Sequence, residues 1–176
     1  MNRSPYRYCL IGYRCCGKTT VARALSDTLK QPLFDTDEVI AAEEGRTIKE
    51  IFADSGEEYF RQKETDVLTR LLRRQGGYVI ATGGGIPVRE ENRRVIRASG
   101  ALTVLLWSEP ETILRRMAAD ERNDQTRPAL TDLPPQEEIR AMLDRRRKYY
   151  LELADLTLVT DLQTPEELVR AIIEAR

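Results

Sequence analysis

Eight residues near the amino terminus, Gly12-Tyr13-Arg14-Cys15-Cys16-Gly17-Lys18-Thr19, follow the pattern G-x-x-x-x-G-K-[ST]. Residues of these types at this spacing bind phosphate. The loop's N–H groups and the start of a following helix, which takes in Thr20, attract phosphate oxygens. Lys18 can reach the terminal phosphates of a nucleotide, and the Thr19 hydroxyl can sit on Mg²⁺. The two adjacent cysteines raise metal and redox chemistry as rivals. Neither fits: the chain has three cysteines, Cys9, Cys15 and Cys16, with no C-x-x-C spacing, and it has no histidine. The cysteines therefore read as small loop-lining residues. Cys15 stands where many such loops carry glycine, and a side chain there restricts the backbone.

A phosphate loop specifies a nucleotide and leaves the acceptor open. Phe34-Asp35-Thr36-Asp37 offers two carboxylates. Read as the end of a strand with its two-residue period, it sends Asp35 and Asp37 out on the same side. One carboxylate could serve a metal's water shell and the other could orient or deprotonate a hydroxyl. The alternative is a helix cap at Asp37 beside a turn Asp. Arg61 follows Phe60 within a helical stretch, where a plain surface arginine is the competing reading. Gly83, Gly84 and Gly85 end a strand and let a ligand approach the backbone closely. Arg127 lies in a proline-bearing loop, and Arg145, Arg146 and Arg147 form a basic run near the end of a helix. A solvated face accounts for at least two of those three.

The elements that must hold these groups alternate in type. Residues 6–12, 32–37, 76–82, 101–107 and 156–160 read as strands, the first, third and fourth strongly apolar. Helical patterns separate them, with proline near the first turn in "EPETILRRMAAD" and a capped start in "TPEELVRAIIEAR". Between residues 46 and 73 two helices are expected, the second opened by a capping box of Ser55 and Glu58. Strands alternating with helices imply an α/β fold whose mainly parallel sheet is covered on both faces, with sites at the carboxyl ends of the strands. The phosphate loop, the Asp pair and the triple glycine all fall at such ends.

Composition narrows the classes further. A chain of 176 residues with no linker or repeat suggests one domain, 1–176. A net charge of −1 argues against nucleic acid as partner. No apolar run has the length of a membrane span, and the start is too short and polar for a secretory signal, so a cytoplasmic location is expected. Without histidine, a general base must be Asp, Glu, Lys, Tyr or Cys.

In order and spacing, "YCLIGYRCCGKTT", "FDTDEVI", "EEYFRQKE", "VIATGGGIP", "TRPALT" and "RRKYYLELAD" resemble shikimate kinase over nearly the whole chain. The resemblance implies a three-layer P-loop NTPase-like sandwich, nucleoside-monophosphate-kinase-like, with a five-stranded parallel sheet. It also implies transfer of the ATP γ-phosphate to the 3-hydroxyl of shikimate, with Mg²⁺ as cofactor, in a monomer. It sets a substrate region at about 35–64 and a lid at about 120–134. Asp37 matches the carboxylate on the shikimate hydroxyls and the candidate base, and Asp35 the carboxylate near Mg²⁺, directly or through water. Arg61 and Arg146 match shikimate-binding arginines, with Arg145 or Arg147 as alternatives to Arg146 because Arg147-Lys148 departs from the family's usual Asn-Pro. Gly83 to Gly85 match the glycines beside the ring, and Arg127 the lid arginine on the phosphates. Arg122 is offered to adenine, with Arg116 in competition, and Gln163 lies by position at the adenine site.

Overall fold

The computed structural model describes residues 6–120, 131 and 133–176. Arg122 and Arg127, and most of the expected lid, lie outside the described residues. Five strands, β1 (Arg7–Ile11), β2 (Leu33–Asp35), β3 (Tyr78–Ala81), β4 (Leu102–Trp107) and β5 (Leu156–Val159), form one sheet in the order β2-β3-β1-β4-β5. Every pairing is parallel, with Cys9 opposite both Ile80 and Thr103. The central strands are mostly apolar because both their faces are covered. Cys9, Ile11, Ile80 and Leu105 pack on one side with Ile51, Leu68 and Tyr150. Tyr8, Leu10, Val79, Val104 and Leu106 pack on the other with Val21, Leu25, Leu168 and Ile172.

The helices are α1 (Lys18–Leu29), α2 (Thr36–Glu44), α3 (Ile48–Leu72), α4 (Glu90–Ala98), α5 (Pro110–Ala119), α6 (Pro135–Leu153) and α7 (Pro165–Glu174). Pro110 opens α5, and a reciprocal Thr164–Glu167 box opens α7, both as the sequence suggests. Residues 46–73 differ from expectation. The capping box is Thr47 with Glu50, and the helical span carries a break at Gly56, whose φ of 83° and ψ of 168° are not helical. Ser55 Oγ instead accepts from Arg46, and Glu58 pairs with Arg89.

Strand β2 is also shorter than expected. It stops at Asp35 because that side chain caps α2, accepting from the Asp37 N–H at 3.0 Å. Asp37 is thus in the first turn of α2, and the two carboxylates are related by a cap and its helix, not by a strand's period. The reading with a cap at Asp37 is corrected in the same way: the capping residue is Asp35.

Candidate active site

Order reversal at β1, with β3 on one side and β4 on the other, opens a crevice at the carboxyl ends of the strands. The phosphate loop lies there. Lys18, buried in the first turn of α1, bends its Nζ back to donate to the Tyr13 carbonyl at 2.6 Å. Thr19 Oγ1 donates to Asp35 Oδ2 at 2.8 Å, which joins the loop to the end of β2. Thr20 is exposed, and Cys16 is fully buried under the loop. The Tyr13 side chain is buried in a cluster with Ile113, Ile139 and Leu143, which leaves the backbone of Tyr13 as its part in the loop.

Beside the loop is a cleft lined by Arg14, Asp37, Phe52, Phe60, Arg61, Glu64, Gly83, Gly84, Gly85 and Arg146. Five segments far apart in sequence supply it. Thr36 Oγ1 accepts from the Gly83 N–H at 2.8 Å, tying α2 to the glycine turn. The Tyr150 hydroxyl donates to the Gly84 carbonyl at 2.7 Å, one helical turn from Arg146 on the same face of α6. The glycines are there for space. A Cβ on Gly83 would stand 2.5 Å from Glu64 Oε1 and 2.7 Å from Asp37 Oδ1, and one on Gly85 would overlap the Arg61 guanidinium.

The cleft's arginines are paired with carboxylates, with one exception. Arg61 lies over Phe60 and donates to Glu64 at 2.6 Å and to Glu57 at 3.0 and 3.1 Å. Glu64 is buried, and burial pushes its carboxyl up to about 7; the negative charge of Asp37 acts in the same direction and Arg61 opposes it. Arg14 pairs with Glu138, a buried acid that also accepts from the Thr131 N–H at 2.8 Å and from its hydroxyl at 3.2 Å. Arg146 is the exception. It is 6% exposed, sits over the Tyr13 ring, and has no carboxylate partner among the described residues. Arg145 and Arg147 are exposed on the outer face of α6 and do not line the cleft.

Several residues of this site carry no local sequence signal. Arg116 donates to the Cys15 carbonyl at 3.3 Å, to Ser108 and Thr160 hydroxyls at 3.0 Å each, and to the Thr160 carbonyl at 2.7 Å. Gln163 is exposed on the loop after β5. Arg116 and Gln163 are candidates for adenine by position in the sequence, whereas nothing in the sequence reading points to Glu64 or Glu138. Glu64 follows Arg61 at helical spacing, which was a usable hint; Glu138 is 124 residues from Arg14 and gave none.

Comparisons with known proteins agree. The family model described as shikimate kinase matches residues 14–176. "Shikimate kinase 2" of Sodalis glossinidius is 41% identical over 165 residues, covering 94% of this chain and 92% of the relative. Shikimate kinase of Rhodopirellula baltica is 37% identical, covering 97% and 90%. Among solved structures, shikimate kinase from Acinetobacter baumannii in complex with shikimate superposes with a TM-score of 0.88 at 32% identity, covering 97% of this chain and 92% of that one.

Proposed function

The chain belongs to the shikimate kinase family, and from that premise we propose how its residues divide the work of phosphoryl transfer. The enzyme phosphorylates shikimate with ATP at the 3-hydroxyl, giving shikimate 3-phosphate and ADP on the route to the aromatic amino acids.

The observation that carries the residue roles is Arg146, a buried guanidinium with no carboxylate in ion-pair contact among the described residues, sharing with Arg61 a cleft that opens beside the phosphate loop. A buried cation favours an anion beside it. Shikimate brings one carboxylate and three hydroxyls, so Arg146 and Arg61 take the carboxylate and Asp37 the hydroxyls. Gly83 to Gly85 leave room for the ring. Asp37, which lines the cleft beside Gly83, receives the proton of the attacking 3-hydroxyl. Lys18 exchanges the Tyr13 carbonyl for phosphate oxygens, and the N–H groups of residues 12–19 hold the same phosphates. Arg127, outside the described residues, completes this neutralisation within the lid at about 120–134; Arg122 and Arg116 are the two candidates for adenine, with Gln163 nearby.

Mg²⁺ fits the rim. The Thr19 hydroxyl and Asp35 carboxylate are adjacent hard oxygen donors, 2.8 Å apart. With two oxygen donors from the protein, the rest of the ion's shell would be phosphate oxygens and water. When bound, the ion draws negative charge from the transferring phosphoryl group. Thr19 would hold it and Asp35 would hold it or its water. The rest of the proposal is a cytoplasmic, monomeric single-domain enzyme acting on two small dissolved anions; no helix among the described residues is long and apolar enough to cross a membrane.

A coupled ADP-release assay with shikimate, gluconate and nucleoside monophosphates tests the substrate side. ADP release is expected with shikimate alone. Comparable rates with gluconate would overturn the assignment of Arg61, Arg146 and Asp37 to this acceptor.

A further inference from the structure

The phosphate loop contains a backbone conformation that its residue disfavours. Cys15 has a φ of 58°, in the left-handed region where a Cβ crowds the following carbonyl. Among the described residues only Lys30 shares this without being glycine, and Lys30 caps the end of α1, where such a turn is common. Cys15 has no helix end to account for it. Its peptide carbonyl accepts from Arg116, and the carbonyl of Cys16 next to it accepts from Thr160 Oγ1 at 3.0 Å. Thr160 Oγ1 and Ser108 Oγ are 2.6 Å apart, and the Arg116 guanidinium donates to both. Since the one proton of Thr160 goes to Cys16, the proton of Ser108 points at Thr160. Every donor in this buried group ends on the loop or on a residue that holds it. The Cys15 side chain packs meanwhile against the buried cluster of Tyr13, Ile113, Ile139, Met142 and Leu143, to which α5, the helix that carries Arg116, contributes Ile113.

We infer that Ser108, Arg116 and Thr160 form a clamp that holds the phosphate loop in the left-handed turn at Cys15, so that ATP meets a preformed loop despite the non-glycine residue. Strained backbone persists where its surroundings over-determine it, and here the carbonyls on both residues of the Cys15–Cys16 pair are fixed from strand ends and a helix. Without the clamp, Cys15 leaves the turn, and ATP must restore it at the expense of affinity. In the clamp the three are positioning residues, acting through the loop's backbone, and for Arg116 this role is separate from its candidacy for adenine. The inference rests on residues 12–19 being the ATP phosphate site.

Thr160→Val removes the hydroxyl at nearly constant volume, and Thr160→Ser retains it. The variants are made with Cys15 and again with Cys15→Gly, and KM for both substrates, kcat and ADP affinity by calorimetry are measured. In the Cys15 background, Thr160→Val should raise KM for ATP and the ADP dissociation constant about five- to thirtyfold, the factor by which a non-glycine residue disfavours this turn. KM for shikimate should stay within about twofold, and Thr160→Ser should restore ATP affinity. In the Cys15→Gly background the Thr160→Val penalty should shrink to about twofold or less, because glycine adopts the turn unaided. An equal penalty in both backgrounds, or none in either, overturns the clamp while leaving ADP binding by the parent enzyme intact. A parent enzyme that binds no ADP overturns the phosphate-loop reading and the clamp with it. Should Thr160→Val fail to fold, Ser108→Ala in the two backgrounds makes the same comparison.

Discussion

Replacing Arg61 with alanine should separate acceptor binding from nucleotide binding. The guanidinium has five N–H donors. Nε and one Nη2 hydrogen go to Glu57 and one Nη1 hydrogen to Glu64, leaving one hydrogen on each Nη. Those two are left for a carboxylate of the acceptor. A charge-assisted bond contributes about 1.5–3 kcal/mol, so losing this contact should weaken shikimate binding roughly 10- to 150-fold. The fold should tolerate the change. Burial already pushes the Glu64 carboxyl up to about 7 against the opposing pull of Arg61. Without that pull the carboxyl titrates higher still, keeps its proton near neutral pH, and leaves no bare buried anion. Arg61→Ala and Arg61→Ala/Glu64→Gln should therefore bind shikimate with the same affinity at pH 7. Calorimetric titration with shikimate and, separately, with ADP measures all of these values. Equal damage to both ligands, or a loss of shikimate affinity under about threefold, would refute the role given to Arg61.

Asp37→Asn should leave ADP binding nearly intact and lower shikimate turnover by about a hundredfold or more, whereas Lys18→Ala should impair transfer and nucleotide affinity together; near-normal turnover in a folded Asp37→Asn enzyme removes Asp37 from the chemistry. Thiol alkylation followed by mass spectrometry should label Cys15, which is partly exposed, ahead of Cys16 and Cys9, which are buried, the Cys9 thiol being pushed up to about 12 by burial; Mg·ATP should slow labelling of Cys15 and shikimate alone should not, and an unchanged rate with Mg·ATP would mean that this thiol points away from the nucleotide. Glu64 also sets a pH dependence of stability. Its folded pKa is raised, so between the ordinary glutamate range and about 7 the unfolded chain gives up a proton that the folded protein keeps, and stability falls as pH rises through that window. Glu64→Gln lacks this fall, so its melting temperature relative to the parent should climb between pH 5 and pH 8, by the equivalent of about 1–3 kcal/mol; parallel curves for the two proteins would show that Glu64 stays ionised when folded.

The parts of the fold legible in the sequence are those written in local periods. Val21 and Leu25 at helical spacing, the largely apolar run of β4, and the glycine-lysine-threonine close of the phosphate loop each carry their own signal, and the alternation of strands with helices implies the parallel sheet. Asp35 and Asp37 mark where this fails. A strand's period and a helix cap both fit the same four residues, and the cap prevails because the Asp35 side chain is close enough to satisfy an otherwise orphaned N–H of α2. Arg146 shows a second limit. Three consecutive arginines look alike in sequence, and only the packing of α6 against Tyr13 turns the middle one inward. Partners such as Glu138 for Arg14, or Thr160 for the loop, are brought together by the chain's long returns and leave no local trace.

Two of the three cleft arginines arrive with a glutamate already attached, Arg61 with Glu64 and Arg14 with Glu138. An anionic acceptor that engages either one enters by ion-pair exchange: it takes a place beside, or instead of, a carboxylate already there. What appears as affinity is then only the difference between the old partner and the new. The same difference governs departure. As the phosphorylated product leaves, the glutamates are in position to resume their contacts, so the site never has to expose all three guanidiniums unpaired. Such a site holds its ligand loosely for the number of charges it presents, a property that favours turnover over retention.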